Sequence, residues 1–235
     1  PMLFSVTDAD LKFTDSGGKV ASSTGADILF TASDGTTLLN YEIESYASTT
    51  GATVAWVKIP TLHATYDDVI YIYFGNASAP ANTASNRQNT WDTNYKGVWH
   101  LPNGTTLSAA DSTSNANNGT KNGTPSAIAG QIDGGANFSG SSDNVNITSI
   151  SLNGVAYTIS TWVVTPLPNS CSSYCTLTRG TNDHQVLVNP SNLLGEYDNA
   201  GGTAFHSSGF SMATLSGGWH YIAARVNGSN TDFYV

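Results

Sequence analysis

Trp91–Leu101 reads WDTNYKGVWHL. Two tryptophans, a tyrosine and a histidine crowd these positions, between the small polar run of Ala77–Thr90 and the Asn-rich loop DSTSNANNGT at 111–120. Large aromatics lose conformational entropy when ordered and recover it only through burial, so the stretch predicts a packed junction and not a tether. It reads as the last strand or turn of one β-rich module running into the first strand, 97–101, of another. Alternation places Tyr95, Gly97 and Trp99 on one side of the chain and Lys96 and Val98 on the other. Trp91, Tyr95 and Trp99 are expected to be largely buried.

Working upstream, the patterning is that of strands. VIYIYF at 69–74 and TVAWVKI at 53–59 are rich in β-branched and aromatic residues. Leu38, Leu39, Tyr41, Ile43 and Tyr46 mostly alternate with polar positions, and Glu42 and Glu44 share the opposite face. Shorter pieces are expected at 2–6, 11–13 and 27–30, with a tight turn at Asp34-Gly35. Downstream, strands are expected at 136–138, 145–147, 157–164, 176–178, 185–188, 194–197 and 221–226, at spacings typical of antiparallel sandwiches. Convincing helical periodicity is absent, and 77–90 reads as a linker-like or loosely helical run of small polar residues. The expected fold is all-β: two antiparallel β-sandwiches of the jelly-roll kind in tandem, 1–95 and 96–235.

Across 235 residues only 11% are charged, against roughly 25% in an average soluble domain, so Ser, Thr, Asn and Gly carry solubility. That habit belongs to extracellular or cell-surface β-proteins. A net charge of −9 argues against nucleic acid and anionic membranes, both of which reward Lys and Arg. No apolar run approaches the roughly 20 residues of a membrane span, so membrane insertion is not expected. The start at Pro1 without a signal peptide, and the stop at Val235 inside an alternating pattern, read as a piece of something longer. Sequons such as Asn76, Asn118, Asn146 and Asn227 would carry glycan only in a suitable secretory host.

The residue types set the chemistry that can be expected. Cys171 and Cys175 lack the second ligand pair a zinc site needs, and a small-loop disulfide is expected, with free thiols the alternative. Glycosidases use two carboxylates flanking a cleft. Glu42 and Glu44 could lie about 6–7 Å apart on one strand face, but a solvated strand face is the expected reading. Asp67-Asp68 read as a turn. His100 and His220 each follow a Trp; His63, His184 and His206 show no metal-ligand spacing, and Arg179 and Arg225 are isolated. Calcium takes oxygen ligands from loops, which makes Asp111, Asn115, Asn118 and Asp133 candidate ligands; the same residue types also close turns on themselves. Sugar binding uses exposed aromatics that stack on pyranose faces, and Tyr174, Tyr197, Phe205 and Phe210 lie in or near loops. Trp56, Trp99, Trp162 and Trp219 sit in strand patterns and are expected in cores.

ADILFTASDGTTLLNYEIESY, then VAWVKIPTL, then VIYIYFGNASA, followed by the Trp91-Asp92-x-Asn94-Tyr95 run, resemble the bacterial and archaeal family called domain of unknown function 2341, over roughly 1–95. The resemblance implies a β-sandwich and no activity. GVWHL, the DSTSNANNGT loop, QIDGGANFSGSSDNVNI, YTISTWV and SGGWHYIAARVNGSNTDFYV are similar to laminin-G-type, concanavalin A-like modules, over 97–235 with the last strands missing. That second resemblance implies a jelly roll, and its many calcium-binding members add weight to the calcium reading.

These features together predict a non-catalytic extracellular binding or adhesion segment that recognises a glycan or another surface ligand. A structural subunit assembled with copies of itself into a fibre by strand sharing is the alternative, and a polysaccharide-degrading enzyme the third reading.

Overall fold

The computed structural model describes residues 1–102, 104–139, 142–152, 156–167, 173–180, 183–199, 204–228 and 230–235. Among them the fold is all-β, with one short α-helix and two 3₁₀ turns. The chain divides into two compact units, Pro1–Ile150 and Ser151–Val235; the cut expected at 95/96 falls inside the first. No helix is long and apolar enough to cross a membrane.

The first unit contains β1 (Met2–Thr7), β2 (Leu29–Thr31), β3 (Tyr41–Ala47), β4 (Ala52–Val57), β5 (Tyr71–Tyr73), α1 (Ala84–Gln88), β6 (Thr120–Asn122), β7 (Ser126–Ala129), β8 (Gly134–Asn137) and β9 (Asn144–Asn146). Among the described residues these strands pair antiparallel: β1-β4-β3 form one sheet, and β2-β5, β6-β9 and β7-β8 form two-stranded ladders. Phe30 of β2 fills the core between Phe4 of β1 and Tyr41 of β3, its ring centroid 5.2 Å from each. Ile28, Val20, Ala55 and Val57 complete that cluster, and each large aliphatic or aromatic buried there is worth about 1.5–3 kcal/mol. Buried Asp27 ties the strands together, accepting N–H bonds from Ala21, Ser22 and Gly75. The β3–β4 hairpin turns at Gly51, whose φ of 74° and approach to the Asp8 carbonyl leave no room for a Cβ.

Ile43 and Tyr41 point into this core, so Glu42 and Glu44 lie on the outer face of the sheet. Glu42 pairs directly with Trp56, and a register shift between Ile43 and Ser45 makes Glu44 the extra residue of a bulge. Over Trp91–Leu101 no strand forms, contrary to expectation. The backbone polar groups of Val98 go instead to the loop that follows, its N–H to the Asp111 carboxylate and its carbonyl to the Ser112 N–H. Trp91 is buried as expected, whereas Tyr95 is exposed and Trp99 half-buried. The 11–13 piece is likewise no strand, only a bridge from Phe13 to Val20.

The second unit contains β10 (Tyr157–Thr165), β11 (Cys175–Thr178), β12 (His184–Val188), β13 (Leu193–Asp198), β14 (Ala204–Ser211), β15 (Gly218–Asn227) and β16 (Asn230–Tyr234). Sheet β10-β15-β16 and sheet β11-β12-β13-β14 share one core. Ile222 and Ala224 from the first sheet meet Cys175, Val186, Val188 and Leu194 from the second, which gives the unit a β-sandwich-like character. Register turns Ile159 and Val163 of β10 inward, so Trp162 points out and pairs with Tyr221, ring centroids 5.3 Å apart. Trp162 is therefore not the core residue expected of it; Trp56 and Trp219 are half-buried.

Candidate functional site

The chemistry-bearing side chains gather at two places, one in each unit. In the first unit, Glu42 and Glu44 are not solvated. Their side chains are 13% and 4% exposed, beneath His100 at 12%. His100 sets Nε2 3.2 Å from Glu42 Oε2 and Nδ1 3.0 Å from Glu44 Oε2. The Trp91 indole N–H donates to Glu42 (2.8 Å), as does the Ser112 hydroxyl (2.7 Å), and the Trp56 indole N–H donates to Glu44 (2.6 Å). The Trp56 ring stacks on the imidazole at 6.1 Å, and Trp91 lies 5.8 Å away. The expectation of a solvated strand face fails because each carboxylate is covered and hydrogen-bonded.

With both ring nitrogens facing carboxylate oxygens, only the imidazolium can donate to each. Burial alone would push the His100 pKa down, but its bonds to Glu42 and Glu44, and their charges, hold it up at about 9. Burial likewise opposes ionisation of Glu42, yet His100, Ser112 and Trp91 hold its pKa below the usual value. An imidazolium held between these two covered side chains ties the 91–118 stretch to the outer face of β3.

The candidate calcium ligands take a different arrangement from the one expected. Asp111 Oδ1 accepts from the N–H groups of Val98 and Thr113, both at 2.9 Å; Oδ2 accepts from the Thr113 hydroxyl and the Asn117 N–H, both at 2.8 Å. Asn118 Oδ1 receives the Asp111 N–H, and the Asn115 amide donates to the Tyr95 carbonyl. Asp133 stands in the β7–β8 turn, its carbonyl bonded to the Gly130 N–H. Donors surround the Asp111 carboxylate and the Asn118 amide oxygen, the arrangement of a loop that closes on itself. No group of three or more His, Cys, Asp or Glu able to hold a metal forms among the described residues.

In the second unit, three of the four expected aromatics converge. Tyr174, 43% exposed, meets Tyr197 edge-on at 5.5 Å and Phe205 at 6.0 Å. Tyr197 and Phe205 are direct cross-strand partners of β13 and β14, and Gly195 has no Cβ to displace the Phe205 ring, which a Cβ would meet at 2.7 Å. His184 pairs with Tyr197 across β12–β13 and bonds the Thr176 hydroxyl at 2.7 Å, which puts an imidazole and a hydroxyl at the border of the aromatic group. Phe210 instead packs against the core of this unit. His184 was weighed in the sequence only as a metal ligand and set aside, and Thr176 was not singled out; their signal is their place on strands adjacent to the aromatics.

Cys175 is buried and disulfide-bonded; Cys171 lies outside the described residues. His63 belongs to an exposed surface loop, with Nδ1 2.6 Å from Asp68 and its ring stacked on Tyr66. That contact and the His63 N–H bond to Asp68 make the expected turn at 67–68 part of a closed loop.

Residues 24–99 match the family model described as Domain of unknown function (DUF2341). The match supports the first resemblance, and it takes in Glu42, Glu44, Trp56 and Trp91 but stops one residue before His100. No curated protein and no solved structure matches the chain.

Proposed function

We propose that the chain is a non-catalytic, extracellular binding segment, and that Tyr174, Tyr197 and Phe205 form a platform for the apolar face of a pyranose ring. The observation that supports this reading is their convergence, with Tyr174 left exposed. Aromatic rings left at the surface in mutual contact present apolar faces that a sugar's C–H groups can cover. The His184–Thr176 pair supplies nearby polar groups of the kind that orient a ligand. The proposal rests also on the resemblance of 97–235 to laminin-G-type, concanavalin A-like modules, with a glycan as the partner.

Affinity electrophoresis through gels carrying neutral and acidic polysaccharides tests the reading. The protein should be retarded by at least one of them, and Tyr174→Ala should weaken that retention roughly 5–30-fold, as expected for a central aromatic anchor. No retardation on any gel, or equal retardation of the variant, overturns it.

A second reading, a subunit of a surface fibre, is favoured by β1. This edge strand, MLFSVT, carries no charge and exposes Met2, Leu3 and Val6. Such an edge can accept a strand from another copy.

A further inference from the structure

The described residues of 91–118 (91–102 and 104–118) are tied to one another as well as to β3. Val98 holds Asp111 and Ser112, the Trp99 indole N–H bonds the Asn117 carbonyl, and the Asn117 amide bonds the Lys96 carbonyl. These links make it one piece. Its hydrogen bonds to β3 end on Glu42 and Glu44, and His100 touches both.

From β3 the groups facing His100 are those two carboxylates. From β4 and from the segment itself come the indoles of Trp56 and Trp91, which do not titrate. Lys58 and Arg87 are directed at the carbonyls of Asn89 and Asn82, and Asp92 accepts the Asn94 N–H.

We propose that the described residues 91–102 and 104–118 form a proton-gated clasp: the imidazolium of His100, shared between Glu42 and Glu44, holds the piece shut on the outer face of β3–β4, and loss of one proton opens it. A neutral ring would turn a lone pair toward one carboxylate. The covered carboxylate that faces it loses its charged partner and keeps only neutral donors, Trp91 and Ser112 on Glu42 or Trp56 on Glu44, and moving the piece into solvent relieves that cost. Opening uncovers Trp56 and Glu44.

Hydrogen–deuterium exchange, corrected for intrinsic rates, tests the clasp in the intact chain at pH 6.5 and pH 10. Protection of amides 92–102 and 104–112 should fall roughly 100-fold at the higher pH, while amides of β2 and β4 keep theirs. In His100→Gln the same amides should be weakly protected at both pH values. Unchanged protection in the native chain, or the same fall in the variant, overturns the proposal. Should the variant not fold, ring nitrogen-15 spectra of native His100 decide: both nitrogens protonated at pH 8 is the expected result, and a neutral tautomer there overturns it.

Discussion

A histidine that donates from both ring nitrogens commits the protein to a pH range. The His100 pKa rises from 6.5 to about 9, so its contribution is complete below about 6.5 and is lost as pH climbs through 9. That difference corresponds to about 3 kcal/mol. Glu42 has the opposite sense: its pKa is lowered from 4.5, so its contribution is present above that value and is lost on acidification. Urea midpoints of the first unit should therefore peak between about pH 5 and 6.5 and decline toward pH 9, a profile that equilibrium titrations at half-unit steps would reveal. A flat profile from pH 6 to 10 would contradict the assignment. Asp111 acts differently. Its four accepted hydrogen bonds predict that Asp111→Ala costs about 2–4 kcal/mol, measured equally in calcium and in chelator. A loss seen only in calcium would instead make the loop an ion site.

At the scale of elements, what was legible followed alternation. β4, β10, β12, β13 and β15 lie close to where β-branched and aromatic residues predicted strands, because packing on a core face and β propensity agree there. β14 was missed: AFHSSGFS reads as polar loop, and only its pairing with β13 makes it a strand. Trp91–Leu101 failed the other way. It has the aromatic content of a strand, but the backbone groups of Val98 are taken by Asp111 and Ser112, 13 and 14 residues on, which no local pattern connects. Glu42, Glu44 and His100 were each visible, yet nothing at 42–44 announces a partner 56 to 58 positions away. At the hairpin between β3 and β4, Gly51→Ala should cost more than about 1 kcal/mol, because it combines a left-handed φ with contact on the Asp8 carbonyl. Chemical denaturation would show it as a lower midpoint at unchanged slope. Along β1, Leu3→Lys places a charge on the open edge and should suppress any concentration-dependent association seen by sedimentation, leaving the fold intact.

For the molecule as a whole, the family match covers 24–99 and names no activity, and the proposed aromatic platform lies outside it. The aromatic platform was partly legible. Tyr174, Tyr197 and Phe205 could be picked out as aromatics near loops, but Phe210, chosen on the same ground, faces the core. Composition marks which residues could stack on a sugar, whereas the register of β12, β13 and β14 decides which ones share a face. The low charge and hydroxyl-rich surface suit a glycan better than a polyanion. Saturation-transfer difference NMR tests this most directly, with irradiation of the aromatic protons in the presence of the oligosaccharide from the best-retained polysaccharide. The account predicts transfer concentrated on the C–H protons of one pyranose face, and its loss in Tyr174→Ala. Transfer spread evenly around the sugar, or undiminished in Tyr174→Ala, would contradict it.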